Sequence, residues 1–313
     1  MNTGQGVCLN YRPSSTDCYS SQWYPSVIDV QTGPRDATTG IAVQAGNGNL
    51  LAVAHSMSIL NGHVSLFDKN TGALLATLSI PQQSAVHHPL NQLAFDANGN
   101  LWVTTGTVVQ CYTTLLASGG PVKGPLITGF SNTLAVAASP TLPVTVLVAD
   151  GGQSQTVKAF DGNGVAQWTY GSVGGYTSDP SASISKLSFK FDWQQPYYKV
   201  TDATGLAMLP DGSSWVVDTG NGRILHIDNQ RNYVEQVAYR PASYSAAVDP
   251  NNPSRVFSNF LEYQVDTTHP LYPGLGNSWT LVRNGRDSLP TTTGVTGSSA
   301  GPPPRPWRPS TPA

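Results

Sequence analysis

The chain has 313 residues, and with 16 Lys+Arg and 18 Asp+Glu only 11% of it is charged, against about 25% in an ordinary soluble domain. Its acids include just two Glu, Glu235 and Glu262; Glu and Lys furnish most helix surfaces, so an all-α or α/β fold is disfavoured. A net charge of −2 supplies no basic face for nucleic acid, and no apolar run approaches the roughly 18 residues of a membrane span.

Residues 1–36 read as an irregular arm. Met1–Asn10 carries no basic patch followed by an apolar core, so no signal peptide is written there. The Thr/Ser/Asn-rich composition still resembles exported proteins, so an extracellular or periplasmic location is expected, its leader missing from this chain; the other reading is cytosolic. Cys8 and Cys18 either pair in an oxidising compartment or stay as two thiols. Cys111, within VVQCYTTLL, is expected to be a buried structural thiol.

From residue 37 the chain repeats itself. Short apolar strands around a small residue open five units: Ile41-Ala42-Val43, Leu93-Ala94-Phe95, Leu134-Ala135-Val136, Leu206-Ala207-Met208 and Ala246-Ala247-Val248. Turns rich in Asp, Asn, Gly and Pro follow (AGNGN, DANGN, SPTLP, LPDGS, DPNNP), where Gly and Asn tolerate the positive φ of tight hairpins. Second strands come next (LLAVA, LWVTT, VTVLVAD, SWVVD, RVFSN), with Trp102 and Trp215 at matching places. Third strands Val64–Asp68, Val157–Asp161 and Ile224–Asp228 each end on Asp before a turn, and a fourth strand follows: ALLATLSI, VAQWTYG or YVEQVAY. Four short antiparallel strands recurring every 40 to 50 residues predict the blade of an all-β propeller.

The unit starts, from Ala42 to Ala247, lie 52, 41, 72 and 40 residues apart. The longest interval holds an insertion over about 171–204, which either packs over a blade edge through Phe189, Phe191, Trp193, Tyr197 and Tyr198 or carries a binding role. The propeller is expected to run over 37–289. Five blades are recognisable, and the favoured arrangement is an incomplete six-bladed ring, with a five-bladed ring as the other arrangement. Gln22–Ile28 is a candidate ring-closing strand. The Pro-rich tail, 290–313, is expected to be disordered or polyproline-like.

Gly205–Asp228, GLAMLPDGSSWVVDTGNGRILHID, looks much like an NHL repeat, and His63–Ile80 looks like a YVTN-type outer hairpin. The chain therefore resembles NHL/YVTN-type repeat propellers, related to the six-bladed TolB-like group. Similarity of Leu93–Thr105 and of the blade from Gly205 to gluconolactonase-type enzymes implies a calcium held by Glu, Asn and Asp in the central channel. An Asn-Gly usually opens the strand that here begins Thr204-Gly205, and neither Glu lies near the start of an inner strand. Asp218, ending a second strand, is the candidate ligand, beside its reading as a turn carboxylate. Similarity to NHL-type amidating lyases implies zinc-binding histidines, for which His55, His87 and His88 are the candidates near the channel rim.

No nucleophile elbow, Walker loop or dinucleotide loop occurs. Arg223, Arg231, Arg240 and Arg255 form either a modest basic rim or scattered solvated residues. The favoured function is a non-enzymatic propeller, without a cofactor, that binds a protein or glycan through its loop face, with Tyr176, Trp193, Tyr197 and Tyr198 in contact. The alternative is a metal-dependent hydrolase or lyase, using calcium or zinc at the channel mouth with Asp218, His55 and His87 or His88.

Overall fold

The computed structural model describes residues 37–56, 61–81, 92–176, 180–195, 198–238, 246–258, 261–266, 268 and 279–284. The arm 1–36 with its candidate closing strand, the tail 290–313, His87, His88, Tyr197 and Arg240 lie outside them.

Five four-stranded antiparallel sheets follow one another along the chain, each ordered as its strands occur in sequence. Blade 1 comprises β1 (Ala37–Val43), β2 (Leu50–Ser56), β3 (Asn61–Asp68) and β4 (Leu74–Pro81). Blade 2 comprises β5 (Leu93–Phe95), β6 (Leu101–Thr105), β7 (Val108–Thr113) and β8 (Val122–Ile127). Blade 3 holds β9 (Thr133–Ala138), β10 (Thr145–Asp150), β11 (Thr156–Asp161) and β12 (Ala166–Tyr170). A separate hairpin, β13 (Lys190–Gln195) with β14 (Tyr198–Asp202), interrupts the series. Blade 4 then runs through β15 (Leu206–Met208), β16 (Ser214–Asp218), β17 (Arg223–Ile227) and β18 (Tyr233–Ala238). Blade 5 runs through β19 (Ala246–Asp249), β20 (Asn252–Ser258), β21 (Leu261–Val265) and β22 (Trp279–Asn284). The inner strands pack in succession, β1 on β5, β5 on β9 and β9 on β15. This is the radial arrangement of a β-propeller.

The Asp closing each regular third strand explains the hairpin to the outer strand. Asp68 accepts the N–H groups of Asn70 and Thr71, Asp161 those of Asn163 and Val165, and Asp228 those of Gln230 and Asn232, all at 2.7–2.9 Å. A short side chain that bonds its own backbone two to four residues on fixes the turn locally. The matching tryptophans occupy the same register, Trp102 opposite Ala94 and Trp215 opposite Ala207.

Separate apolar layers bind the blades. Ala52, Ala54, Leu66, Leu78 and Ile80 of blade 1 meet Leu93, Leu101 and Val103 of blade 2. Trp102, Val109 and Cys111 meet Val136, Val146 and Val148 of blade 3. Between blades 3 and 4 the layer of Leu147, Ala149, Val216 and Leu225 also takes in Leu187 and Phe189 from the insertion. Cys111 is a buried free thiol, as its apolar surroundings predict. Among the described residues, no helix is long and apolar enough to cross a membrane.

Candidate functional site

The insertion is the one long departure from the blade period, and its footing is built from buried side chains. Leu187 and Phe189 are fully buried and hold Ser188 between them, with Ser188 turned towards blade 4. The Ser188 N–H donates to Asp218 Oδ1 at 2.7 Å, and the Ser188 carbonyl accepts the Gly220 N–H at 2.7 Å. On the blade 3 side, the Phe189 N–H donates to Gln155 Oε1 at 2.5 Å. Where the second strand returns to the same base, opposite Lys190, Asp202 Oδ2 accepts the Gly152 N–H at 2.8 Å, and the Ala203 N–H donates to the Phe189 carbonyl. The entry and the exit of β13–β14, side by side at its base, are therefore tied to the flanking blades.

Asp218 is the centre of this footing. Its carboxylate is fully buried, and Oδ2 accepts from Arg223 Nε and Asn221 Nδ2, both at 2.7 Å. Arg223, 4% exposed, extends Nη2 to the carbonyls of Ser183 and Lys186 at 2.7 and 3.1 Å. Asn221 in turn accepts from Asn284 Nδ2 of blade 5 at 2.8 Å. Burial pushes the Asp218 carboxyl up, while Arg223, the Ser188 N–H and Asn221 pull it down. A carboxylate removed from water needs such compensation, because an uncompensated buried charge is strongly destabilising.

No protein-family model matches the sequence, and no curated protein matches it significantly. Solved structures similar to the chain include a chain of the mitotic checkpoint complex, at 11% identity over 74% of this chain and 62% of that one, with a TM-score of 0.40. A streptogramin B lyase is similar at 13% identity over 76% of this chain and 68% of its own, with a TM-score of 0.40. Virginiamycin B lyase from Staphylococcus aureus is similar at 10% identity over 80% of this chain and 71% of its own, with a TM-score of 0.42. The chain spans under two thirds of the first of these. At such identities no residue role passes from them to this chain; the propeller assignment rests on the sheets themselves.

The geometry redistributes the residues picked from sequence. Asp218 and Tyr176 come together, but inside the protein: Tyr176 is fully buried, with Lys186 Nζ 5.6 Å from its ring centre, and burial pushes its phenol up. Its ring supports the footing and offers no surface to a partner. Trp193 and Tyr198 fall on the two strands of the hairpin. His55 falls in β2, opposite His63 of β3. Among the described residues, no three His, Cys, Asp or Glu side chains gather as a metal site.

Among the described residues, Arg223, Arg231 and Arg255 do not converge into a basic rim. Arg223 is internal, Arg231 lies over the Trp168 ring at 5.9 Å, and Arg255 bonds Glu262 and Asp249 at 2.5 and 3.2 Å. His226 stacks on Trp215 at 4.3 Å between ring centres. The residues that sequence reasoning passed over are Gln155, Ser188, Asp202 and Asn221. All four act through long-range hydrogen bonds that no local motif announces.

Proposed function

We propose that this chain is a non-catalytic NHL/YVTN-type propeller that binds a protein or glycan through the loop face carrying hairpin β13–β14. Trp193, Tyr197 and Tyr198 are its contact residues, while Tyr176, fully buried, belongs to the footing. It acts outside the cytoplasm and uses no cofactor. The observation that carries this reading is the hairpin's footing, buried at Asp218 and Gln155 and completed at Asp202. A recognition element with both strands fixed at its base loses less conformational freedom on binding than a loop without such a footing, so more of its contact energy appears as affinity. Tyr and Trp suit the role because each buries a large area and keeps a polar tip. The competing reading, a calcium- or zinc-dependent hydrolase or lyase, loses its best-placed carboxylate, because Asp218 already serves Arg223, Asn221 and Ser188.

The test is a glycan array and an array of extracellular protein domains, probed with the full chain and with the Trp193→Ala/Tyr198→Ala double variant. The proposal expects a specific signal that the double variant loses while its thermal midpoint stays unchanged. Equal signals from both proteins, or one tightly bound metal whose removal abolishes a hydrolytic or lyase activity, would overturn it.

A further inference from the structure

Each blade ends on an outer strand with one edge unpaired within its own sheet. Such an edge presents free N–H and C=O groups to any strand that approaches, and proteins guard it with charge, proline, irregular residues or a covering segment. Four of the five outer strands have a guard. The edge of β22 is taken by the insertion, where the Ala182 N–H donates to the Val282 carbonyl at 2.7 Å and the Asn284 N–H to the Pro180 carbonyl at 2.9 Å. β8 contains Lys123, Gly124 and Pro125, and β18 contains Glu235. β12 is only five residues long, and the insertion comes alongside it through Tyr170 Oη to the Ile184 carbonyl at 2.8 Å.

Among the described residues no segment pairs with the edge of β4, and past the irregularity that sets Leu75 out of register it carries none of these. It runs for eight residues, LLATLSIP, with no charge, no glycine and its single proline at the last position. Leu74 and Leu75 are 42% and 44% exposed. Its pattern also specifies an occupant. From Ala76 to Ile80 the apolar residues Ala76, Leu78 and Ile80 alternate with the exposed Thr77 and Ser79. If two copies of this stretch pair antiparallel about a twofold axis at its central residue, Leu78, like faces like. Ala, Leu and Ile fall opposite Ala, Leu and Ile, and Thr and Ser fall opposite Thr and Ser. Hydroxyl and aliphatic cross-strand pairs are stabilising, and no charge opposes another.

We propose that β4 is a dimerisation edge, across which two copies of this chain pair antiparallel and join two four-stranded blades into one eight-stranded sheet. The contact is isologous, so it closes on a pair and does not propagate into a fibre.

Light scattering on the size-separated full chain over a range of concentrations tests this. The parent protein is expected at twice its 33.1 kDa. The variant Thr77→Lys/Ser79→Lys sets lysine against lysine across an axis at Leu78, and is expected to lose the dimer. Both positions are exposed, so its circular dichroism and thermal midpoint should match those of the parent's monomer. Gln167→Lys, on the outer strand of blade 3, should leave the dimer intact. As a second readout that leaves the strand uncharged, Thr77→Cys should give a covalent dimer with a short bis-maleimide beyond any that the parent gives. A parent that stays monomeric, a dimer that survives the two lysines, or one that Gln167→Lys dissolves would overturn the proposal.

Discussion

Asp150 and Asp218 close the second strands of neighbouring blades, both fully buried, yet they grip different things. Asp150 accepts the N–H groups of Ser131 and Asn132, just ahead of its own blade's inner strand, and pairs with Lys158 at 2.6 Å. Asp218 instead accepts the N–H of Ser188 in the insertion and pairs with the buried Arg223 at 2.7 Å. The same position in the repeat holds a blade together in one case and an inserted hairpin in the other.

Removing the carboxylate at Asp218 leaves the Arg223 guanidinium buried without a counter-charge. Asp218→Ala is therefore expected to cost about 3–5 kcal/mol, measured by urea unfolding. Asp150→Ala should cost less, because Lys158 is 28% exposed and can turn to water. Equal losses for the two variants would contradict the distinction between them.

Gly175 lies where the insertion passes closest to itself. Its φ is +60°, and a Cβ there would meet the Leu187 carbonyl oxygen at 2.4 Å. Gly175→Ala adds both strain and a backbone clash, with an expected loss of about 1–3 kcal/mol. Its thermal midpoint should fall, and amide exchange should rise around residues 186–190 more than in blades 1 and 2.

The propeller was legible because its signals are local and periodic. The apolar triplets, the Asn/Asp/Gly turns and the Asp that ends a third strand all act within a few residues, and Trp102 and Trp215 do occupy equivalent registers. The site was less legible because its bonds are long-range. Ser188 and Asp218 are 30 residues apart, and Phe189 and Gln155 are 34 apart. Tyr176 looked like a surface aromatic because it lies in the insertion, whereas the fold buries it fully with Lys186 Nζ over its ring. The scarcity of charge has its cause here too: the few acids present serve turns, or buried pairs such as Asp218–Arg223.

Cys111 is shielded by blades 2 and 3, and desolvation pushes its thiol up to about 12. Because the thiolate is the reactive form, Cys111 should stay unmodified by iodoacetamide at pH 8 in the native protein and react once urea unfolds it. Peptide mass spectrometry reads this directly, and rapid native labelling at Cys111 would contradict the packing between these blades.

Hairpin carboxylates set the response to acid. Backbone N–H groups hold Asp68, Asp228 and Asp249 below the ordinary 3.8, and the Ser213 hydroxyl and N–H do the same for Asp211. A carboxyl with a lowered folded pKa contributes stability that is complete above its unfolded value and disappears as pH falls through the folded one. The thermal midpoint should therefore drop as pH falls below about 4, and Asp228→Asn should flatten part of that drop. A midpoint unchanged over this window would count against these turn bonds.

The central claim is that Asp218 anchors the inserted hairpin and is not a metal ligand. Hydrogen exchange of Asp218→Ala beside the parent protein, each with and without chelator, tests it most directly. The account predicts faster exchange in the variant across residues 183–203, little change in blades 1 and 2, and no effect of chelator on the parent. If the parent loses protection over 183–203 when chelated, or the variant keeps it, the account is wrong.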